Sequence, residues 1–210
     1  MRRLDRVLIV LVPATIVLVA TIARVPIWPG DVGVTGLAQR LSPGKGWAET
    51  ITQSASAPWS FGLVSLSAAV AWALAGWRAA VAIALAFGSM WAIGDWVKPF
   101  IGRPRPYAAL VSVTGSPRGF SFPSTFALAY ATTLGALALV AAFWSRRRGQ
   151  GAIVATCVVL LLIGGLARIT LGAHWPSDVL VSYIVGLVWS AILLRLIAGP
   201  PAHPTLRRPS

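Results

Sequence analysis

Six apolar runs dominate this 210-residue chain, at about 7–23, 59–77, 79–95, 124–144, 152–171 and 179–197. Each is near the length that a bilayer's hydrocarbon core requires. In lipid, every backbone amide and carbonyl must be satisfied within its own segment, so runs like these fold as helices. The expected fold is therefore all-α: a single polytopic membrane domain over 1–210 with six transmembrane helices. Composition agrees, because 57% hydrophobic and 11% charged residues do not suit a soluble globular domain. The N-terminus, MRRLDRVLIVLVPATIVLVATIA, has the basic start and apolar run of a signal peptide. The run is too long for that, and no small-residue cleavage site follows before Arg24. It reads as a retained first span.

Between the runs, the Gly-, Pro- and Ser-rich stretch 24–58 reads as an external loop, with a short amphipathic helix around Val34 to Leu41 and room for a lid. Residues 198–210 read as a cytoplasmic tail. Trp59, Trp77, Trp91, Trp96, Trp144 and Trp175 fall where an aromatic belt would sit. Asp95 marks the end of the third span. The single cysteine, Cys157, lies inside an apolar run, so it forms no disulfide within the chain and reads as a small core residue.

A net charge of +13 would suggest a nucleic-acid partner in a soluble protein. Here the basic residues sort by the membrane instead, and no nucleic acid is expected. With both termini cytoplasmic, ten of the 18 basic residues face the cytoplasm: Arg2, Arg3, Arg6, Arg78, Arg146, Arg147, Arg148, Arg195, Arg207 and Arg208. Outside remain Arg24, Arg40, Lys45, Lys98, Arg103, Arg105, Arg118 and Arg168. Five of these eight fall in 98–118 and at 168, against the charge rule. An anionic ligand on the outer face is the simplest reason for them.

Three stretches share that face: KPFIGRPRP with Lys98 and Arg105, FPSTF with Ser124, and ARITLGAHWPSD with Arg168, His174 and Asp178. Lys98, Arg105 and Arg168 supply positive charge, and an Arg fork holds two phosphate oxygens at once. Pro123 and Ser124 open the fourth span, where Pro fits a first helical turn. Free amides of that turn, including that of Thr125, favour an anion. His174 is the histidine of this face; His203 lies in the tail. A neutral imidazole can attack phosphorus. Asp178, four residues on, is expected to hold the other ring nitrogen. Singly, each has a plainer use: an Arg or Lys at a span end anchors in the interface, and Ser177-Asp178 starts a helix.

Together the motifs resemble those of the type 2 phosphatidic acid phosphatase superfamily, membrane lipid phosphatases related to vanadium haloperoxidases. The first motif is Lys, six residues, Arg-Pro, here Lys98 to Arg105-Pro106. The third is Arg, five residues, His, three residues, Asp, here Arg168, His174 and Asp178, with Ala167 where Ser is usual. The second, Pro-Ser-Gly-His, is Pro123-Ser124-Thr125-Phe126. The resemblance implies six spans and an active site at the outer membrane face of an integral plasma-membrane protein. Phosphate would be bound by Lys98, Arg105, Arg168, Ser124 and the Thr125 backbone. His174 would be the nucleophile, Asp178 its partner, and a lipid phosphate or diphosphate the substrate, for hydrolysis or for phosphotransfer to another acceptor, since a phosphohistidine serves both. The histidine that protonates the leaving group has no counterpart, because Phe126 holds its position. No metal or cofactor is expected, since the cations are Lys and Arg and no ligand-spaced His/Asp cluster occurs.

A general acid contributes about 10²–10⁴-fold. A monoester departs as an alkoxide and needs it. A diphosphate departs as phosphate, whose second pKa is about 6, and needs it less. Phe126 thus favours a lipid diphosphate such as a prenyl diphosphate. Tyr130, one turn further, is a weaker substitute acid. The competing reading is an impaired protein that binds lipid phosphates without turnover. Against it stands the His–Asp pair, which a binder has no use for. A transporter would carry basic residues within its spans, and a haloperoxidase would be soluble.

Overall fold

A computed structural model describes residues 3–145 and 147–201. Arg2, Arg146 and the tail from 202 onward, with His203, Arg207 and Arg208, lie outside the described residues. The described residues form eight helices: α1 (Arg3–Arg24), α2 (Asp31–Leu41), α3 (Gly46–Gln53), α4 (Trp59–Ala75), α5 (Trp77–Ile101), α6 (Thr125–Trp144), α7 (Gln150–Thr170) and α8 (Pro176–Ala198). Among the described residues, α1, α5, α6, α7 and α8 are long and apolar enough to cross a membrane. The sixth, α4, is a shorter apolar helix of 17 residues. At 1.5 Å per residue it covers about 26 Å. That reaches across a core of about 30 Å once its end tryptophans sit in the interface. Trp59 and Trp77 are exposed there.

The expected boundaries move where charge is neutralised locally. The third span was expected to end at Asp95, yet α5 runs on to Ile101. Asp95 pairs with Lys98 at 2.6 Å one turn on, so the helix carries both without an isolated charge. The connection over 24–58 holds the expected short helix, as α2, and a second, α3, that was not expected. Apolar contacts hold them: Ala48 of α3 packs with Ala167, Leu171 and Ala173 at the end of α7. The Gln39 side chain of α2 donates to the Ser112 and Thr170 carbonyls at 2.6 and 3.1 Å.

Helix α6 is the centre of the bundle, with 78% of its span window buried against 6–33% for the other four long helices. Its neighbours approach through small residues, as membrane helices do. A side chain at Gly164 would meet the Tyr130 ring at 2.5 Å, and one at Gly186 would meet Ala131 at 2.6 Å. Two π-helical turns interrupt α6, at Ala131–Gly135 and Val140–Trp144. The aromatic belt needs a correction. Trp59, Trp77, Trp91 and Trp96 are exposed, but Trp144 and Trp175 are buried. Each has an indole N–H that needs a partner, and each finds a carbonyl, of Gly199 and Pro104 respectively.

Candidate active site

The chain's alternation through the bundle puts the ends of α1, α5 and α7 and the starts of α4, α6 and α8 at one end. Residues 25–58, 102–124 and 171–175 join them there. All three motifs therefore meet.

His174 lies in the turn between α7 and α8, and its side chain is almost fully buried. Gly172 makes that turn possible. Its φ of +63° is left-handed, and a Cβ there would lie 2.4 Å from the Ser112 carbonyl. The turn is pinned by Thr114 N–H donating to Leu171 at 2.9 Å. The His174 Nδ1 lies 2.7 Å from the Ser121 carbonyl, which only accepts, so Nδ1 carries the proton and Nε2 the lone pair. Burial pushes the imidazole well below its ordinary range, and the charges of Arg168, Arg105 and Lys98 push the same way; the Ser121 bond opposes them weakly. The ring is therefore neutral at neutral pH.

The three expected cations surround it. Arg105 donates to the carbonyls of Arg118, Gly119 and Ala173 at 3.1, 3.2 and 2.7 Å. Burial lowers its pKa somewhat, while Asp178 and Asp95 raise it. Lys98 is held by Asp95. Arg168, in the last turn of α7, reaches Thr52 of α3 at 3.5 Å, and its buried Nε finds no acceptor among the described residues. A buried guanidinium with a free donor is suited to an anion.

Phe126 is buried beneath that guanidinium. Its ring centre lies 5.5 Å from Arg168 Cζ and 4.3 Å from the Tyr130 ring. The position where the second motif has a histidine is thus an aromatic platform beneath the Arg168 guanidinium. Tyr130 is not free to replace the acid, because its hydroxyl is 2.7 Å from Ser54.

The fourth span starts differently from expectation. Pro123 precedes the helix, and Ser124 is its N-cap, accepting from Ala127 N–H at 3.4 Å. The Ser124 amide is already given to Ser182 Oγ at 2.9 Å, and the residue is fully buried. Its hydroxyl proton remains available. The Thr125 side chain packs toward Gly94 of α5, where a Cβ would meet it at 3.0 Å. Beside it is a cavity of ≈ 180 Å³ lined by Ser56, Trp91, Asp95, Thr125 and Ala129 among others.

Asp178 does not hold His174, contrary to expectation. It sits in the first turn of α8 and accepts from the Trp175 amide at 2.9 Å. Its other partners are the Ser121 hydroxyl and Arg103. The reason is electrostatic. Arg103 is fully buried, and a buried guanidinium must have carboxylates around it. Asp178 therefore acts on His174 at one remove, through Ser121. Sequence reasoning assigned nothing to Ser121, Ser182 or Asp31 and read Ser177 only as a helix start; Arg103, expected among the cations for an anionic ligand, is instead spent on Asp31 and Asp178. Arg103 and Ser121 lie inside or beside motifs and were within reach of sequence reasoning. Asp31 carried no signal beyond being one of five acidic residues.

A family model described as the PAP2 superfamily matches residues 75–199. The chain belongs to that superfamily. The match begins at the end of α4 and takes in every motif residue. No curated protein matches the chain in sequence. Among solved structures, it is similar to a transmembrane PAP2-type phosphatidylglycerolphosphate phosphatase from Bacillus subtilis. Identity is 19%, the TM-score is 0.71, and the alignment covers 90% of this chain and 94% of the other. The likeness extends the shared fold to α1–α4, and both findings make the chain a multi-pass membrane protein. The family membership supports a phosphoric-ester hydrolase.

Proposed function

We propose that this PAP2 protein is a membrane lipid phosphatase working through a phosphohistidine at His174. The observation that carries the reading is the buried, neutral imidazole, protonated on Nδ1 and set among Lys98, Arg105 and Arg168. The three cations and the Ser124 hydroxyl and Thr125 amide hold the phosphoryl oxygens. Nε2 attacks phosphorus as the bond to the leaving oxygen breaks. Water then attacks the phosphohistidine, releasing phosphate and restoring the neutral ring.

The preferred substrate is a lipid diphosphate, such as a prenyl diphosphate. Phe126 puts no proton donor at the leaving oxygen, and Tyr130 is committed to Ser54. A phosphate leaving group departs without one. The site faces outward from the plasma membrane, with both termini cytoplasmic; the excess of basic residues at the opposite end supports this orientation.

The test is phosphate release by the purified protein in detergent from farnesyl diphosphate and from phosphatidic acid, with His174→Ala as blank. Release from the diphosphate well above the blank is the expected result. Equal release from both substrates would remove the argument from Phe126. Activity retained by His174→Ala would end the phosphohistidine mechanism. No release above the blank would favour a protein that binds lipid phosphates without turnover.

A further inference from the structure

The family match starts at residue 75, yet a carboxylate from outside it enters the buried network behind the histidine. Asp31 opens α2 and is 3% exposed. Its Oδ2 accepts from Arg103 Nη2 at 3.0 Å, Ser177 Oγ at 2.8 Å and the Trp28 amide at 2.9 Å. Its Oδ1 accepts from the Ser177 amide at 3.0 Å. Arg103 uses the rest of its fork on Asp178 through Nη1 and on the Val25 carbonyl through Nε at 3.2 Å. Asp178 in turn accepts from the Ser121 hydroxyl, and the Ser121 carbonyl holds His174 Nδ1.

We propose that Asp31 is a positioning residue for His174: by occupying one arm of Arg103, it keeps Asp178 on Ser121 and so fixes the carbonyl that orients the imidazole. The inference rests on the phosphohistidine reading above. A guanidinium prefers to grip one carboxylate with two parallel N–H groups. With the Asp31 charge removed, Nη2 keeps only the neutral Ser177 hydroxyl at 3.0 Å, and its nearest remaining carboxylate is Asp178. A two-pronged grip on Asp178 draws its Oδ2 from Ser121 and Trp175. The Ser121 carbonyl then loses its anchor, and the ring it holds loses its aim. Asp31 is thus a competitor for Arg103, and the competition holds Asp178 by a single prong. Neither Asp31 nor Arg103 has a bond to Lys98, Arg105 or Arg168, so phosphate binding stays intact when the arrangement fails.

That separation makes the test. The full chain is purified in detergent as wild type, Asp31→Asn, Ser121→Ala, the double variant, Gln39→Ala and His174→Ala. For each, kcat and KM on farnesyl diphosphate and the inhibition constant of vanadate are measured. Asp31→Asn keeps the size and removes the charge that binds Arg103. It is expected to lower kcat by about 10²-fold, the effect of a small misplacement of a reacting group. Vanadate inhibition is expected to stay within about 3-fold, because the cations are untouched. The double variant is expected to match Ser121→Ala, since both act on one chain of contacts. Gln39→Ala also loosens α2, through different contacts, and its kcat is expected to hold. Unchanged kcat in Asp31→Asn overturns the inference. So does an equal loss in Gln39→Ala, which would make α2 docking the cause, or a loss in vanadate binding matching that in kcat. If Asp31→Asn gives no folded protein, Ser177→Ala decides by the same readouts, since it removes one bond to each of Asp31 and Arg103. Activity in His174→Ala strikes the underlying mechanism and is told apart from these outcomes.

Discussion

Replacing Phe126 by His restores the family's proton donor in a setting that has adapted to an aromatic ring. The cost follows from the contacts. Phe126 is 5% exposed, stacks on Tyr130 at 4.3 Å and lies 5.5 Å below Arg168. Full burial of a Phe stabilises by about 1.5–3 kcal/mol, the ring pair adds about 0.5–1.5, and a desolvated cation–π contact about 2. Imidazole keeps part of each, so the expected loss of stability is on the order of 2–4 kcal/mol. The gain is confined to substrates that need a proton: about 10²–10⁴-fold for a monoester, and under about 10-fold for a diphosphate. The assay is initial-rate phosphate release from phosphatidic acid and farnesyl diphosphate, with Phe126→Leu as a control that removes the ring without adding a donor. The ratio of monoester to diphosphate kcat should rise by at least about 10-fold in Phe126→His and stay flat in Phe126→Leu. A ratio unchanged in folded Phe126→His would refute the reasoning, because the proton would then come from elsewhere.

Other predictions concern the turn and the cations. Gly172→Ala should destabilise by roughly 2–5 kcal/mol, from a left-handed φ plus a clash with the Ser112 backbone. Gly119→Ala, at φ +70° in open space, should cost only about 1–2 kcal/mol; equal thermal shifts in detergent would show that the clash is not real. His174, followed by ¹³C-histidine NMR with His203→Gln to remove the second signal, should not titrate near the ordinary value of about 6.5. Because its folded pKa is depressed, the unfolded chain takes up a proton that the native chain refuses. Stability contributed by the neutral ring is full above the unfolded value and declines as pH falls from there toward the folded one; a midpoint at 6.5 or above would contradict the burial argument. Arg168→Lys keeps the charge but loses the fork and the stacking on Phe126. KM for a lipid phosphate should rise about tenfold or more, and an unchanged KM would remove Arg168 from the phosphate site.

The apolar runs were legible because a bilayer imposes length and composition on a helix directly. The spacing of Lys98, Arg105, Arg168 and His174 was legible because each lies at a span end, and span order alone puts those ends together. The boundary at Asp95 was misread because a charge in a membrane helix is tolerable once paired, and pairing is a contact. In the 24–58 segment the helix around Val34 to Leu41 was legible, but α3 was not, because it is short and weakly patterned. The stability of both comes from docking on α7 and the Ser112 loop. Phe126 could be seen to remove a donor, but its service to Arg168 depended on which side of α6 meets α7.

The assignment of Asp178 divides the two sources of information most sharply. Its distance along the chain from His174 suggested a direct pair. The fold instead buries Arg103 beside it, and in a low-dielectric interior the guanidinium takes the carboxylates within reach. Asp31 joins them across 72 residues of sequence. The sequence by itself determined the membrane architecture and the gathering of Lys98, Arg105, Arg168 and His174 at one end of the bundle, because local composition and span order decide those. Only the tertiary structure decided which carboxylate serves which charge, because buried charges choose partners by proximity in space.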